Sequence, residues 1–163
     1  MAEQTESKTQ FGIQRIYVKD LSFEIPKAPE IFRIKWEPNF SLDLTPAYTK
    51  IEDNLFEVTL TVSVKANTAG EVAFIAEVTQ AGIFFIEGLA PDALDHILGA
   101  YCPNLLFPYA REAIDNLSNR GSFPAVALSP INFDALYEHR KNQAQQNGSN
   151  NENVTADDNP TIN

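Results

Sequence analysis

Polar and apolar residues alternate along four stretches in the first half of the chain, and then the period changes. In the first stretch Phe11, Ile13, Tyr17, Leu21, Phe23 and Ile25 share one parity while Gln14, Asp20, Ser22 and Glu24 share the other, the period-two mark of a long strand. Ile16 and Val18 fall among the polar positions, so one end of this strand is expected to be covered on both faces, by its own chain or by another subunit. Pro26 and Pro29 end it and open a crossing loop over residues 27–31. Phe32, Ile34, Trp36, Phe40, Leu42 and Leu44 then alternate with Arg33, Lys35, Glu37, Asn39, Ser41 and Asp43, which predicts a second strand. Pro38 inside it predicts an edge position or a bend. After a turn at Asp53 and Asn54, residues 55–66 read as a third strand, with Phe56, Val58, Leu60, Val62 and Val64 inward. A hairpin turn over 67–70 leads into a fourth strand over 72–86. It carries Val72, Phe74, Ala76 and Val78 on one face and Glu71, Ile75, Glu77 and Thr79 on the other, and Gly82 marks a bulge or a close backbone approach.

The second half reads as helix. Pro91 and Asp92 open one in the favoured way, with Leu94, Ile97, Leu98 and Tyr101 as its stripe. Leu106, Tyr109, Ala110, Ala113 and Leu117 continue at helical spacing, yet Pro103 and Pro108 lie in the same run. An unbroken helix would cost roughly 3 kcal/mol per proline, so a break is expected, with a second helix starting near Pro103 and kinking at Pro108. Tyr101, Leu105 and Phe107 then project from an irregular corner. Arg120 and Gly121 end this helix, the glycine as a left-handed cap. Residues 122–131 form a loop displaying Phe123, Val126 and Leu128, and Asn132 caps a last helix bearing Phe133, Leu136 and Tyr137. Strands clustered before helices predict an α+β domain, a four-stranded antiparallel sheet with helices packed on one side.

Composition narrows the function. Of 163 residues 44% are hydrophobic, enough for the core of one domain, placed at 11–141; the polar ends, 1–10 and 142–163, read as disordered tails. A formal net charge of −10 disfavours nucleic acid and anionic membranes as partners. With one cysteine, no positively charged apolar leader and no run of membrane-spanning length, a cytoplasmic protein is expected. Cys102 precedes a proline in an apolar setting and reads as a small buried hydrophobe. Asp95 and His96, adjacent on one helix, do not share a face, so Asp92, Asp95 and His96 make a poor metal site. Neither glycine-rich phosphate loop nor nucleophile elbow is present, and the expectation is a non-enzyme without cofactor or metal.

The run GAYCPNLLFPYARE at 99–112, followed by RGSFP at 120–124 and PINFDALYE at 130–138, resembles the signature of SecB, the bacterial protein-export chaperone family. IQRIYVKDLSFE at 13–24 extends the resemblance, which covers about residues 11–140. It implies a tetramer built as a dimer of dimers, and an ATP-independent holdase that keeps unfolded secretory precursors competent for translocation. The matching groove positions are Trp36, Phe40, Leu42, Leu44, Tyr101, Phe107, Phe123, Val126, Leu128, Phe133 and Tyr137. The resemblance also implies delivery to the translocation motor ATPase SecA through an acidic surface, matched here by Asp20, Glu24, Ile75 and Glu77. Two other classes remain open from the residues: an oligomeric structural adaptor whose apolar faces are consumed by subunit contacts, and a small-molecule-binding α+β domain.

Overall fold

A computed structural model describes residues 8–151; residues 1–7 and 152–163, which hold most of the predicted tails, lie outside the described residues. Four strands form one antiparallel sheet: β1 (Gln10–Glu24), β2 (Asn39–Glu52), β3 (Leu55–Thr68) and β4 (Glu71–Glu87), in the spatial order β1-β4-β3-β2. The expected α+β fold and the edge position of β2 are both observed. Two-residue turns join β2 to β3 and β3 to β4. In the latter Ala69 and Gly70 both take positive φ, 51° and 77°, the geometry that suits the sheet's twist.

The first strand corrects its parity reading. Ile13 pairs with Phe84 but Arg15 with Ile83, and Val18 pairs with Gln80 but Asp20 with Thr79, so Gln14 and Lys19 are extra residues in two bulges. Each bulge flips the parity. Phe11, Ile13, Ile16, Val18, Leu21 and Phe23 therefore share the helix-side face, opposite β4 residues from Ile86 to Ala76. Ile16 and Val18 do not spoil the polar face; they lie off it.

The second strand starts later than predicted. Residues 30–33 make a single 3-10 turn, with Ile31 N–H bonded to Lys27 O at 2.9 Å and Phe32 N–H to Pro29 O at 3.1 Å. Pro38 has no donor to give a ladder, and β2 begins directly after it. It runs on through Pro46 to Glu52, which is possible because an edge strand leaves alternate N–H groups unpaired. Buried Thr68 pins the crossing loop: its hydroxyl donates to Lys35 O at 2.9 Å and accepts from Glu37 N–H at 3.0 Å.

No break occurs at Pro103. The backbone stays helical from Pro91 to Arg120: α1 (Pro91–His96), one π turn (Ile97–Tyr101) and α2 (Cys102–Arg120). The wide turn is closed by Cys102 N–H to Ile97 O, five residues back, so the missing donor of Pro103 falls where the ladder is already shifted. Pro108 sits inside α2. Phe107 is buried, not projecting, and Tyr109 is exposed; Leu106, Phe107, Ala110, Ala113, Ile114 and Leu117 form the true stripe. Gly121 has φ −81°, so the left-handed residue after α2 is Ser122, at φ 67°. The last helix, α3 (Phe133–Asn151), starts at the predicted cap, with Ala135 N–H on Asn132 Oδ1 at 3.0 Å, and continues past Asn142 as exposed helix.

Two neighbouring strands are about 10 Å wide, close to one helix diameter. Accordingly α2 lies over the central strands β3 and β4 and seals Val58, Leu60, Val62, Val64, Phe74 and Val78 into the core. Each such side chain contributes on the order of 1.5–3 kcal/mol when fully buried. One helix cannot cover four strands. The helix-side faces of both outer strands are left partly open.

Candidate functional site

Along β2 the open strip is aromatic at one end. Trp36 sits at the centre of a cluster, with ring centroids 5.1 Å from Phe123, 6.4 Å from Phe74 and 6.5 Å from Phe40, while Phe32 lies 5.3 Å from Phe123. A cavity of about 190 Å³ opens here between Ile31, Phe32, Ile34, Trp36, Phe123 and Pro124. Phe32, Phe40 and Leu42 stay 48%, 41% and 37% exposed, so an apolar surface runs from the cavity onto the sheet edge. Leu44 continues it, half-buried, and Val126 and Leu128 pack on the core from the loop after α2. That loop is strapped to α2 by Ser118 Oγ–H to Pro124 O at 2.5 Å and Ala127 N–H to Asp115 Oδ1 at 2.9 Å.

The remaining predicted groove residues lie elsewhere. Phe107 and Phe133 are buried against each other with centroids 5.6 Å apart, fixing the start of α3 to α2. Tyr137 donates to Asp95 Oδ2 at 2.5 Å, and its ring packs on Gly99 of the π turn. Tyr101 packs edge-on against Phe11 at 5.3 Å. Phe11 is paired with Ile86, twelve residues along β4 from Phe74, so Tyr101 stands roughly 40 Å along the strand direction from the Trp36 cluster.

A second surface occupies the sheet face away from the helices. Glu24 pairs with Ile75, Ser22 with Glu77 and Asp20 with Thr79, which gathers Asp20, Glu24, Ile75 and Glu77 on one face of two neighbouring strands. Glu77 is flanked on β3 by Ser63. Among the described residues, no ion pair engages Asp20, Glu24 or Glu77. Farther along this face Lys19, placed by its bulge, reaches Glu57 at 2.6 Å, and Tyr17 donates to the same carboxylate. Those two partners hold Glu57 below the ordinary carboxylate range, Lys19 foremost, and desolvation with Glu57 beside it pushes Tyr17 up to about 12.

A third constellation ties α3 down, and nothing in the local sequence pattern marked it. Asp95 accepts Tyr137 on one oxygen and Tyr48 of β2 on the other, at 2.9 Å, while His96 Nε2 meets Asp134 at 2.7 Å. The two hydroxyls, Tyr137 first, hold Asp95 below its ordinary range. One turn beyond Tyr137, Arg140 donates to the backbone oxygen of Leu44.

Burial pushes the Cys102 thiol up to about 12, far from a thiolate at neutral pH. Among the described residues no three His, Cys, Asp or Glu side chains group to hold a metal, and no helix is long and apolar enough to cross a membrane.

The family model for preprotein translocase subunit SecB matches residues 4–144. The chain belongs to the SecB family. It is 58% identical over 147 residues to the protein-export protein SecB of Stutzerimonas stutzeri, covering 90% of each chain. Against the SecB of Ectopseudomonas mendocina the identity is 60% over 139 residues, covering 85% of this chain and 86% of that one. In fold it is similar to a SecB-like chaperone of Mycobacterium tuberculosis solved with a peptide from an antitoxin: TM-score 0.62, 20% identity, covering 74% of this chain and 90% of that one. Membership of the SecB family assigns the chain to the chaperones of protein export.

Proposed function

We propose that the chain is a cytoplasmic, ATP-independent holdase that retains unfolded secretory precursors along the open strip of β2 and passes them to SecA. The observation that carries this is the apolar surface running from the Trp36 cavity over Phe40 and Leu42 to Leu44, with Phe123, Val126 and Leu128 as its far wall. Apolar burial contributes about 25 cal/mol per Å² without demanding a sequence, so many weak contacts hold an extended chain of mixed composition. The cavity beside Trp36, at about 190 Å³, is smaller than the usual 300–1,000 Å³ or so of a small-molecule site. In this reading Phe107, Phe133 and Tyr137 support the groove by fixing α3. Tyr101 serves another surface.

That surface is the helix-side face of β1, where Phe11, Ile13, Val18 and Leu21 are between 39% and 49% exposed. A second copy of the chain covers it in the dimer of dimers, and several grooves on one assembly then raise the effective concentration of binding sites. Asp20, Glu24, Ile75 and Glu77 form the docking patch for the motor, its carboxylates steering a basic partner segment.

The chain has a single tryptophan, Trp36, which lies in the proposed groove. Titration with a denatured precursor, followed by Trp36 fluorescence, should give a saturable change without nucleotide. A signal unaltered by precursors that light scattering shows to be bound would place the groove elsewhere.

A further inference from the structure

Arg140 and Pro46 together mark a boundary on the free edge of the sheet. In an antiparallel ladder, alternate residues of an edge strand turn both backbone groups toward the neighbour or away from it. Pro46, opposite Leu60, has no donor to give β3, so the residues sharing its parity, Phe40, Leu42 and Leu44, face outward. The Arg140 bond to Leu44 O agrees with this parity. The same three residues carry the apolar side chains of the strip, so outward backbone groups and open apolar surface coincide at Phe40 and Leu42, are interrupted at Leu44 and Pro46, and recur only at Tyr48, whose hydroxyl is tied to Asp95.

We infer that an extended segment of an unfolded polypeptide adds as a short strand to the edge of β2 at Phe40 and Leu42, and that Arg140 terminates this pairing by occupying Leu44 O. The inference rests on the holding function proposed above. Main-chain pairing suits a client of any sequence, since every residue but proline offers the same donor and acceptor. A second copy of the chain is the poorer occupant, because Arg140 at Leu44 and Pro46 beyond it split the outward-facing edge into two short pieces, Phe40 and Leu42 on one side and Tyr48 and Lys50 on the other, too short for a continuous strand-to-strand subunit contact. Arg140 holds its place through Tyr137, three residues earlier on α3 and bonded to Asp95. It is a positioning residue that sets how far a client pairs, not the strength of the apolar grip.

The test is residue-resolved amide hydrogen exchange of the full chain, alone and with a denatured secretory precursor, in wild type, Arg140→Ala and Arg140→Lys. In wild type the precursor should slow exchange at Phe40 and Leu42 and leave Leu44 unchanged. Arg140→Ala should extend the slowing to Leu44 and tighten binding about 2- to 10-fold, the worth of one net backbone hydrogen bond. Arg140→Lys, still able to donate, should restore the wild-type boundary. Unchanged exchange at Phe40 and Leu42 while Trp36 fluorescence reports binding would overturn strand addition and leave the holding function intact. Weaker binding by Arg140→Ala would make Arg140 a client contact and overturn the boundary role. Slowing that grows with protein concentration alone would seat a second copy on the edge. No binding by wild type in either assay would remove the holding function itself.

Discussion

Asp95 holds Tyr137 by a 2.5 Å hydrogen bond from the phenol, and through it α1 holds α3. The same carboxylate takes Tyr48 of β2, so one side chain joins the edge strand, α1 and α3. Asp95→Asn should loosen α3 and lower stability by about 1 kcal/mol, with Tyr137→Phe showing a similar loss. The pH dependence has a definite sign. Asp95 is held below the ordinary carboxylate range, so its contribution is complete at neutral pH and disappears as pH falls through the depressed value. Tyr137 is raised from 10.0 to about 12, chiefly by Asp95, so its contribution is complete below pH 10 and disappears as pH rises through about 12. Urea denaturation at neutral and at acid pH should show the gap between wild type and Asp95→Asn closing in acid.

Gly121 is required for space. A Cβ at this position would lie 2.5 Å from Cε1 of the Phe23 ring, although its φ of −81° suits any residue. Gly121→Ala should therefore destabilise by about 1–3 kcal/mol through overpacking. A truncation of the ring, Phe23→Leu, should recover part of that loss in the double variant, measurable as a coupling in denaturant unfolding.

A bulge at Ala73, where Asn67 pairs with Val72 and Ala66 with Phe74, turns Val72 away from the face of Phe74, but β3 throughout and β4 from Phe74 onward keep their alternation and were legible in the sequence. β1 was not, since bulges at Gln14 and Lys19 flip the parity twice and period-two reasoning has no local mark for an unpaired residue. The π turn at Ile97 escaped for a related reason: two prolines read equally as a break or as a widened turn. The motifs supplied the positions of the candidate groove, and the structure separates them into the Trp36 cluster, the supports of α3 and the Tyr101 site beside β1. The bonds of Tyr48, Asp95 and Arg140 could not be found, because their partners lie on other elements; in the sequence Asp95 stands out only as an acid beside His96, and nothing local distinguishes Tyr48 or Arg140 from solvated residues.

If a second copy covers β1, a charge on its helix-side face should break the assembly. Val18→Glu should reduce the mass in sedimentation below that of four chains, because burying an unpaired carboxylate in an apolar contact is costly. Circular dichroism should remain that of a folded α+β protein. An unchanged tetramer would place the subunit contact elsewhere.

Glu77 lies on the sheet face opposite the strip, and among the described residues neither it nor Asp20 nor Glu24 makes an ion pair. If this face docks SecA as proposed, Glu77→Lys should abolish binding to SecA and leave precursor binding unchanged. Loss of both together would refute two separate surfaces. Raising the salt should weaken wild-type docking and have little effect on precursor retention.

The proposed holding function places unfolded chains on the apolar surface along β2. Its most direct measurement is light scattering of a denatured secretory precursor diluted into buffer, with and without this protein, in the absence of ATP. Aggregation should be suppressed near one tetramer per precursor, and the suppression should be lost in a Phe40→Asp, Leu42→Asp double variant that remains folded. Undiminished aggregation with a folded, tetrameric wild-type protein would contradict it and assign the apolar faces to subunit contacts alone.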